Sequence, residues 1–313
     1  MGKLVKKLVV YSLLILIVLE VLVRVFHLHN QLPARTIDEN GYYSWVPGET
    51  GYGVYGNRRQ SFSEYKINKS GYNSYREFKP TADSKEIAIV GDSFVEGFHQ
   101  DYFNSIGKKI EDQLPEYEVY EYGYRGTDLA QQLYMMSANK ETFDLIDHVV
   151  VVFKYENDLK RDEFKFKKIG SSFPILEYSK LATYIQNIGL SDPVREIFKD
   201  AQKTVKRIKS KKGRNKSKKN VIDQDSLYLE NFKGMVSKYG INKDKTTFLL
   251  DSRVTNGNFI AHLRKEKIKF IDYAKPFEKT NNKPTNLIYD HHWNNLGRTI
   301  IANEIVEYVK NVN

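Results

Sequence analysis

The sequence contains no cysteine. This excludes disulfide bonds, cysteine-ligated metals, a cysteine nucleophile and a lipid-modified N-terminal cysteine. The sequence also lacks internal repeats and any recognisable motif for binding RNA or DNA. The 313 residues are 41% hydrophobic and 13% aromatic, a composition that favours a packed core over a disordered chain.

Acidic residues are missing from one segment, residues 203–219, which holds ten Lys or Arg. The rest of the chain carries 39 basic and 39 acidic residues, so the net charge of +10 belongs to this tract. A solvated loop is one interpretation of the tract. Contact with anionic lipid headgroups or an anionic polysaccharide is another. We do not expect nucleic acid as a partner.

The N-terminal segment Leu4–Phe26 is apolar enough to cross a membrane, which takes about 20 residues, if Glu20 and Arg24 lie at the interface. The lysines before it place the N-terminus in the cytoplasm by the positive-inside rule: Lys3, Lys6 and Lys7. A cleaved signal peptide is the alternative, but no small-x-small site follows Val23. We therefore expect an anchor at residues 1–28, with the remaining chain outside the cytoplasm, in the periplasm or at the cell surface.

Residues 29–84 form a Tyr-, Gly- and Asn-rich stretch with signs of short strands and turns. One interpretation is an extension that packs on the main domain and covers a sheet edge. The alternative is an aromatic surface that binds a sugar.

Residues 85–313 show the alternation of strands and helices that is typical of an α/β domain. A three-layer, doubly wound, flavodoxin-like sheet of five parallel strands is expected. The predicted strands are Glu86–Val90, Tyr117–Tyr120, His148–Phe153, Thr246–Leu250 and Ile268–Ile271. The predicted helices are Tyr102–Gln113, Leu129–Asn139, Ser179–Asn187, Pro193–Lys209, Asn258–Lys265 and Leu296–Val312. Residues 160–240, which include the basic tract, interrupt this rhythm and are predicted to be an insertion.

Polar and glycine residues follow the predicted strands at the edge where ligands bind in doubly wound sheets. Ser93 follows the first strand, Gly126 the second and Asn157 the third. Asp290 and His292 precede the last helix. A serine hydroxyl needs a base to take its proton, and the base needs a group that orients it. The sequence supplies all three.

These positions resemble the SGNH (GDSL) hydrolase superfamily over residues 85–160 and 245–312. The resemblance implies Ser93 as nucleophile, His292 as general base and Asp290 as its orienting partner. It further implies an oxyanion hole formed by Ser93, Gly126 and Asn157. The Asp290-His291-His292-Trp293 block most resembles a membrane-anchored subset related to alginate-type polysaccharide O-acetyltransferases and to DHHW proteins.

Two positions depart from the superfamily pattern. Asp290 lies two residues before the histidine, where three is common, a spacing that the anchored subset shares. Glu156 replaces the usual small residue before Asn157. Asn294 is a candidate helix cap, and His291 is interpreted as a pocket-wall or solvent-facing residue. A metal held by Asp290, His291 and His292 would lack a further ligand in the sequence, so we predict neither a metal nor another cofactor.

The expected function is that of an extracytoplasmic serine esterase or O-acyltransferase acting on acyl, most simply acetyl, esters of a cell-surface polysaccharide. The resemblance also implies a multi-spanning membrane partner if the reaction is a transfer. Two alternatives stay open. One is a lipid-directed esterase such as a lysophospholipase, and the other is a non-catalytic polysaccharide-binding or assembly protein on a degenerate SGNH fold.

Overall fold

The computed structural model of the chain describes residues 2–56, 59–166, 178–193 and 223–312. Two compact units can be distinguished. One comprises residues 1–31, 54–61 and 169–221, and the other comprises residues 32–53, 62–168 and 222–313. The predicted helix Pro193–Lys209, beyond its first residue, and the basic tract at 203–219 lie outside the described residues.

The described residues form nine strands: β1 Arg35–Ile37, β2 Tyr43–Trp45, β3 Thr50–Tyr55, β4 Ser61–Lys66, β5 Lys85–Gly91, β6 Tyr117–Gly123, β7 His148–Val152, β8 Thr246–Leu250 and β9 Lys269–Asp272. A 3₁₀ helix spans Tyr102–Asn104. The described α-helices are α1 Gly2–Val25, α2 Ser93–Glu96, α3 Ile106–Glu111, α4 Leu129–Ala138, α5 Lys140–Leu145, α6 Tyr155–Asp158, α7 Lys180–Asn187, α8 Gln224–Tyr239, α9 Gly257–Lys265, α10 Ala274–Glu278 and α11 Asn295–Val312.

The larger unit is built on a five-stranded sheet with strand order β6-β5-β7-β8-β9. All four strand pairs are parallel, so every strand ends at the same edge. The chain reverses its direction of travel across the sheet between β5 and β7. In such sheets ligands bind in the crevice beyond the carboxyl ends at that switch point. The predicted doubly wound α/β fold is confirmed.

Alternating strand residues divide between two buried clusters, one on each face of the sheet. Ala88 and Val90 of β5 face one cluster, which contains side chains of α4, α8 and α9. Ile87 and Ile89 face the other, which contains side chains of α3 and α11. Helices therefore cover both faces, and this explains why the central strands are apolar at nearly every position.

The boundaries of the predicted elements agree closely with the structure. The strand Thr246–Leu250 is matched at both ends. The predicted helix Tyr102–Gln113 is instead two pieces, because Ser105 is extended and its hydroxyl accepts a hydrogen bond from the Lys108 amide as the N-cap of α3. Within the predicted insertion 160–240, α8 packs Phe232 and Met235 into the core, so this helix belongs to a covering layer of the sheet.

Four aromatic residues of the extension are buried: Tyr42, Trp45, Tyr65 and Tyr72. Trp45 is fully buried, and its ring lies 5.7 Å from that of Phe98 and 4.8 Å from that of Tyr124. Tyr65 also packs on Phe98, with ring centroids 4.9 Å apart. The contacts of these four rings fit the packing interpretation, since buried rings are not available to a sugar, whereas Tyr75 is exposed.

The smaller unit contains α1, which has the length and apolar composition of a membrane span, as a signal sequence would also have. Near its end, Glu20 accepts hydrogen bonds from the Ser179 hydroxyl and from the amides of Lys180 and Leu181. These amides belong to the first turn of α7. The N–H groups of a first turn have no hydrogen-bond acceptor within their own helix. Glu20 therefore has a structural role at the end of the apolar helix.

Candidate active site

Ser93 begins α2 directly after β5, at the switch point of the sheet. Asp92 caps this four-residue helix, because its Oδ1 accepts a hydrogen bond of 3.0 Å from the Phe94 amide. Ser93 is partly exposed, whereas Val95 and Glu96 of the same short helix are buried. The hydroxyl is therefore held at the open end of an otherwise buried strand-to-helix turn.

Asp290 and His292 lie on the loop that leads into α11. Asn294 fixes the base of this loop, since its Oδ1 accepts from the Gly297 amide and its Nδ2 donates to the carbonyls of Pro284 and Asn286. Asn294 thus caps α11, as the sequence suggested, and also closes the loop by side-chain hydrogen bonds.

Ser93, His292 and Asp290 are joined by two hydrogen bonds of equal length. His292 Nε2 lies 2.7 Å from Ser93 Oγ, and His292 Nδ1 lies 2.7 Å from Asp290 Oδ1. An ionised carboxylate can only accept, so Nδ1 carries the ring proton and donates it. Nε2 then presents its lone pair to the Ser93 hydroxyl, which is the tautomer that a general base requires.

Electrostatics favour a neutral imidazole beside an ionised carboxylate. Burial lowers the pKa of His292 below its usual value, although Asp290 acts in the opposite direction. Burial would raise the pKa of Asp290, but the charge and hydrogen bonds of His292, together with His99, hold it below its usual value. At neutral pH the pair is therefore ready to accept a proton at His292 Nε2.

His99 is a member of this group that the sequence analysis did not single out. Its ring is buried and stacks on the ring of His292, with centroids 3.7 Å apart and planes 22° apart. Its Nε2 lies 3.2 Å from Asp290 Oδ2. No spacing motif links His99 to the loop before α11, so only the tertiary fold reveals the contact.

Lys154 forms one wall of the site at the end of β7. Its Nζ lies 2.7 Å from Asp92 Oδ2 and 3.3 Å from the centre of the Phe94 ring. Phe94 in turn contacts His292, with ring centroids 4.5 Å apart. A cation and an aromatic ring therefore lie next to the imidazole. Lys154 also binds the carboxylate that caps α2.

Gly126 and Asn157 lie in the segments that follow β6 and β7, and both residues are exposed. Gly126 has a left-handed backbone with φ of +77°, which favours glycine at this turn. Asn157 is in α6, where its Oδ1 accepts a hydrogen bond from Lys160 at 3.4 Å. Both residues stand at the expected edge of the sheet. His291 is exposed, which favours the solvent-facing interpretation over that of a pocket wall.

Glu96 connects the serine helix to the loop that carries Gly126. Its buried Oε1 accepts hydrogen bonds from Trp45 Nε1 at 2.9 Å and from the Arg125 amide at 3.0 Å. Burial raises the pKa of Glu96 to about 7, against the effect of these two donors. Its backbone carbonyl accepts from Asn73 Nδ2 at 2.8 Å, so the extension contacts the same turn twice.

His99, Asp290 and His292 have the ligand types of a metal site, and their candidate ligand atoms lie within 4.8 Å of one another. An imidazole binds a metal through a lone pair in its ring plane, yet the two rings are stacked and nearly parallel. Two such lone pairs do not converge on one ion. Both ring nitrogens of His292 are, moreover, engaged by Asp290 and Ser93. The geometry suits proton transfer better than metal binding.

Comparison with known proteins finds no matching family model and no matching curated protein. Among solved structures, the chain is similar to a lipolytic protein of the G-D-S-L family from Veillonella parvula, with 13% identity, 72% of this chain and 99% of that chain covered, and a TM-score of 0.41. TesA is similar at 11% identity, 73% and 100% coverage and a TM-score of 0.39. The catalytic domain of the Streptococcus pneumoniae peptidoglycan O-acetyltransferase A is similar at 8% identity, 73% and 94% coverage and a TM-score of 0.37. The hydrogen-bond geometry around Ser93 is independent of these likenesses.

Proposed function

We propose that this chain is a membrane-anchored, extracytoplasmic serine esterase or O-acyltransferase. Its substrates would be acyl esters, with acetyl as the acyl group, on a cell-surface polysaccharide. The observation that carries the proposal is the series Ser93–His292–Asp290, in which both hydrogen bonds measure 2.7 Å. An unreactive serine on a degenerate fold would have no need of a base oriented in this way.

The chemistry follows from the direction of these hydrogen bonds. His292 Nε2 takes the Ser93 proton as Oγ bonds to the ester carbonyl carbon, and the electron pair of the carbonyl moves to its oxygen. The resulting imidazolium, stabilised by Asp290, returns the proton to the leaving alcohol as the C–O bond breaks. Water or a second hydroxyl, deprotonated by His292, then bonds to the acyl carbon; the bond from that carbon to Ser93 Oγ breaks, and Oγ takes the proton back from His292. Water as the acceptor gives an esterase, and a sugar hydroxyl gives a transferase.

The negative charge that develops on the carbonyl oxygen needs donors that are fixed before the reaction. We assign this role to the backbone amides of Ser93 and Gly126 and to the Asn157 side-chain amide. Support comes from their placement at the ends of β5, β6 and β7, which are neighbours in the sheet. Removal of one such donor typically costs about 100- to 1000-fold in rate.

The location and substrate rest on the first helix and on the sequence block around His292. Helix α1 could anchor the chain, and the lysines before it favour a cytoplasmic N-terminus. The Asp290–Trp293 block resembles anchored polysaccharide O-acetyltransferases, which supports a glycan acceptor. A transferase of this kind would require a multi-spanning partner that delivers acyl groups across the membrane.

A lipid ester is the second candidate substrate. Ile288, two residues before Asp290, is 92% exposed. An apolar side chain on the loop that carries the orienting carboxylate could contact a long acyl chain. Hydrolysis of p-nitrophenyl esters with acyl chains of two to sixteen carbons separates the candidates. A preference for acetyl supports the glycan ester, whereas a preference for long chains supports a lipid.

The test of the reaction class is labelling of the detergent-solubilised full chain with a fluorophosphonate, which reacts preferentially with an activated serine. We expect the parent to be labelled, and Ser93→Ala and His292→Ala to lose the label while they retain their circular dichroism. His291→Gln is the matched control, and its labelling should be unchanged because His291 is exposed and lies outside the hydrogen-bonded series. An unlabelled but folded parent would refute a self-sufficient esterase.

A further inference from the structure

We propose that His99 is a positioning residue that fixes Asp290 and His292 relative to Ser93. This inference rests on the proposed serine chemistry and adds to it a second histidine. Asp290 receives an imidazole N–H on each of its oxygens, from His292 Nδ1 on Oδ1 and from His99 Nε2 on Oδ2. The plane of the carboxylate is therefore set from both sides.

The protonation state of His99 decides which atom donates in its contact with Asp290. Burial and the charge of His292 lower the pKa of His99 to about 3, so its ring is neutral at neutral pH. Asp290, which is ionised there, can only accept. His99 Nε2 must therefore carry the proton of the 3.2 Å contact. A neutral donor orients the carboxylate without adding a positive charge beside the imidazolium that His292 becomes.

The sequence spacing makes this contact more important than an ordinary hydrogen bond. Asp290 and His292 are two residues apart on one loop. Because the hydrogen bond between them lies within this loop, it does not fix the position of the loop relative to the helix of Ser93. His99 comes from the segment that follows α2, six residues after Ser93 along the chain. It therefore links the helix of the nucleophile to the loop of the base.

The segment that carries His99 is itself firmly held. Phe98 is buried and contacts the rings of Trp45 and Tyr65, and its carbonyl accepts a hydrogen bond from the Ser63 hydroxyl. Gln100 Nε2 donates to the Trp293 carbonyl at 2.9 Å, next to His292. Two neighbouring side chains of this segment thus reach the Asp290–Trp293 loop at separate points.

Stacking gives His99 a second effect on its neighbour. The His292 ring contacts the rings of both His99 and Phe94, with centroid distances of 3.7 Å and 4.5 Å. Contacts with two aromatic rings limit the rotation of the imidazole and its access to water. They also favour the protonated ring through cation–π attraction. A substitution that keeps the ring and one that keeps the donor can therefore separate the two effects.

The experiment compares His99→Phe, which keeps the stacked ring, with His99→Gln, whose Nε2 can donate from a similar position. We expect the rate of fluorophosphonate labelling to fall about 10- to 100-fold in His99→Phe, the scale of a small displacement of reacting groups. His99→Gln should recover most of this loss. His291→Gln serves again as the control, and circular dichroism establishes that every variant is folded.

The pH dependence supplies a readout that a merely structural residue would not move. Without the His99 donor, Asp290 attracts the imidazolium more strongly, so the pKa of His292 rises. The acid limb of the labelling rate should then move to higher pH in His99→Phe and stay near the parent in His99→Gln. The other charged groups that act on these rings are unchanged in both variants: Asp92, Arg125, Lys154 and Arg298.

Titration of His292 by ¹H–¹⁵N NMR of histidine-labelled full chain makes the test independent of activity. A higher pKa in His99→Phe supports the inference even if the serine does not react. An unchanged pKa and labelling rate in folded His99→Phe overturn it, as does equal loss in both His99 variants. Failure of the proposed reaction looks different, because the parent itself would then be unlabelled or Ser93→Ala would keep its label.

Discussion

Substitution of Glu96 by Gln tests whether the buried carboxyl at the helix of Ser93 makes the stability of the fold depend on pH. In the parent, one oxygen of Glu96 accepts from both Trp45 and Arg125. The amide oxygen of glutamine can accept the same two hydrogen bonds. The variant therefore keeps the connections between extension, helix and loop and removes only the ionisation.

The magnitude follows from the raised pKa of Glu96. A rise from the ordinary 4.5 to about 7 corresponds to about 3 kcal/mol against the ionised form in the folded state. Between these two pH values the folded state binds more protons than the unfolded state, so the free energy of unfolding falls as pH rises. The contribution of protonated Glu96 is fully present below pH 4.5 and is lost as pH rises through about 7.

The assay is denaturant unfolding of parent and Glu96→Gln at pH 5 and pH 8, followed by tryptophan fluorescence. Trp45 is fully buried against Glu96 and is one of only two tryptophans, so it reports on this region. We expect similar stabilities at pH 5 and a variant more stable by up to about 3 kcal/mol at pH 8. The difference between the parent and Glu96→Gln cancels the pH-dependent contributions of the other titrating groups. One of these is Asp158, whose buried carboxyl has a pKa raised to about 8.

A stability difference that does not change between pH 5 and pH 8 would refute this reasoning, because it would mean that Glu96 has the same charge in both states throughout. Glu96→Ala is the matched control. It removes the acceptor as well as the charge, so it should be destabilised at both pH values, since Trp45 and Arg125 would each lose a buried partner.

Four further outcomes are expected. Asp290→Asn should lower the labelling rate about 10⁴-fold with the fold intact, because an amide can favour the wrong tautomer of the imidazole; a loss below tenfold would exclude an orienting role. Asn157→Ala should lower kcat for ester hydrolysis by about 100- to 1000-fold, and parent-like kcat would remove it from the oxyanion hole. Gly123→Ala should destabilise the fold by roughly 1–3 kcal/mol in denaturant unfolding, since its Cβ would lie 2.1 Å from the Glu96 backbone nitrogen; parent-like stability would show that the turn can move. The labelling rate should fall on acidification with a midpoint below 6.5, the ordinary imidazole value from which burial lowers the pKa of His292; a midpoint above 6.5 would contradict the buried neutral base.

The parts of the site that could be predicted from sequence are those encoded within a few neighbouring residues. An apolar strand that ends in Gly91-Asp92-Ser93 defines a strand-to-helix turn, and parallel strands must end at one edge. Asp290 and His292 are close in the chain, so their hydrogen bond is local. The contact between His292 and Ser93, which are 199 residues apart in the chain, could be predicted only because both segments adjoin elements of the same α/β sheet.

His99, Lys154 and Glu96 could not be recognised in the same way. Each acts through a partner on another element: His99 on Asp290, Lys154 on Asp92, and Glu96 on Trp45. A lone histidine after a short helix or a glutamate within one has many roles in proteins, and its sequence neighbours do not identify its partner. Such residues become visible only when tertiary packing brings the partner within hydrogen-bond distance.

The contacts of Trp45 give the extension a structural role near the active site. Its aromatic content alone leaves open a sugar-binding surface. Yet Trp45 is fully buried and donates to the same carboxylate that holds the Arg125 amide. Gly126, whose amide we assign to the oxyanion hole, is the next residue. The position of that amide therefore depends on a tryptophan about eighty residues earlier, through Glu96. A substitution in the extension that disturbs Trp45 should therefore lower the catalytic rate more than it lowers the affinity for substrate.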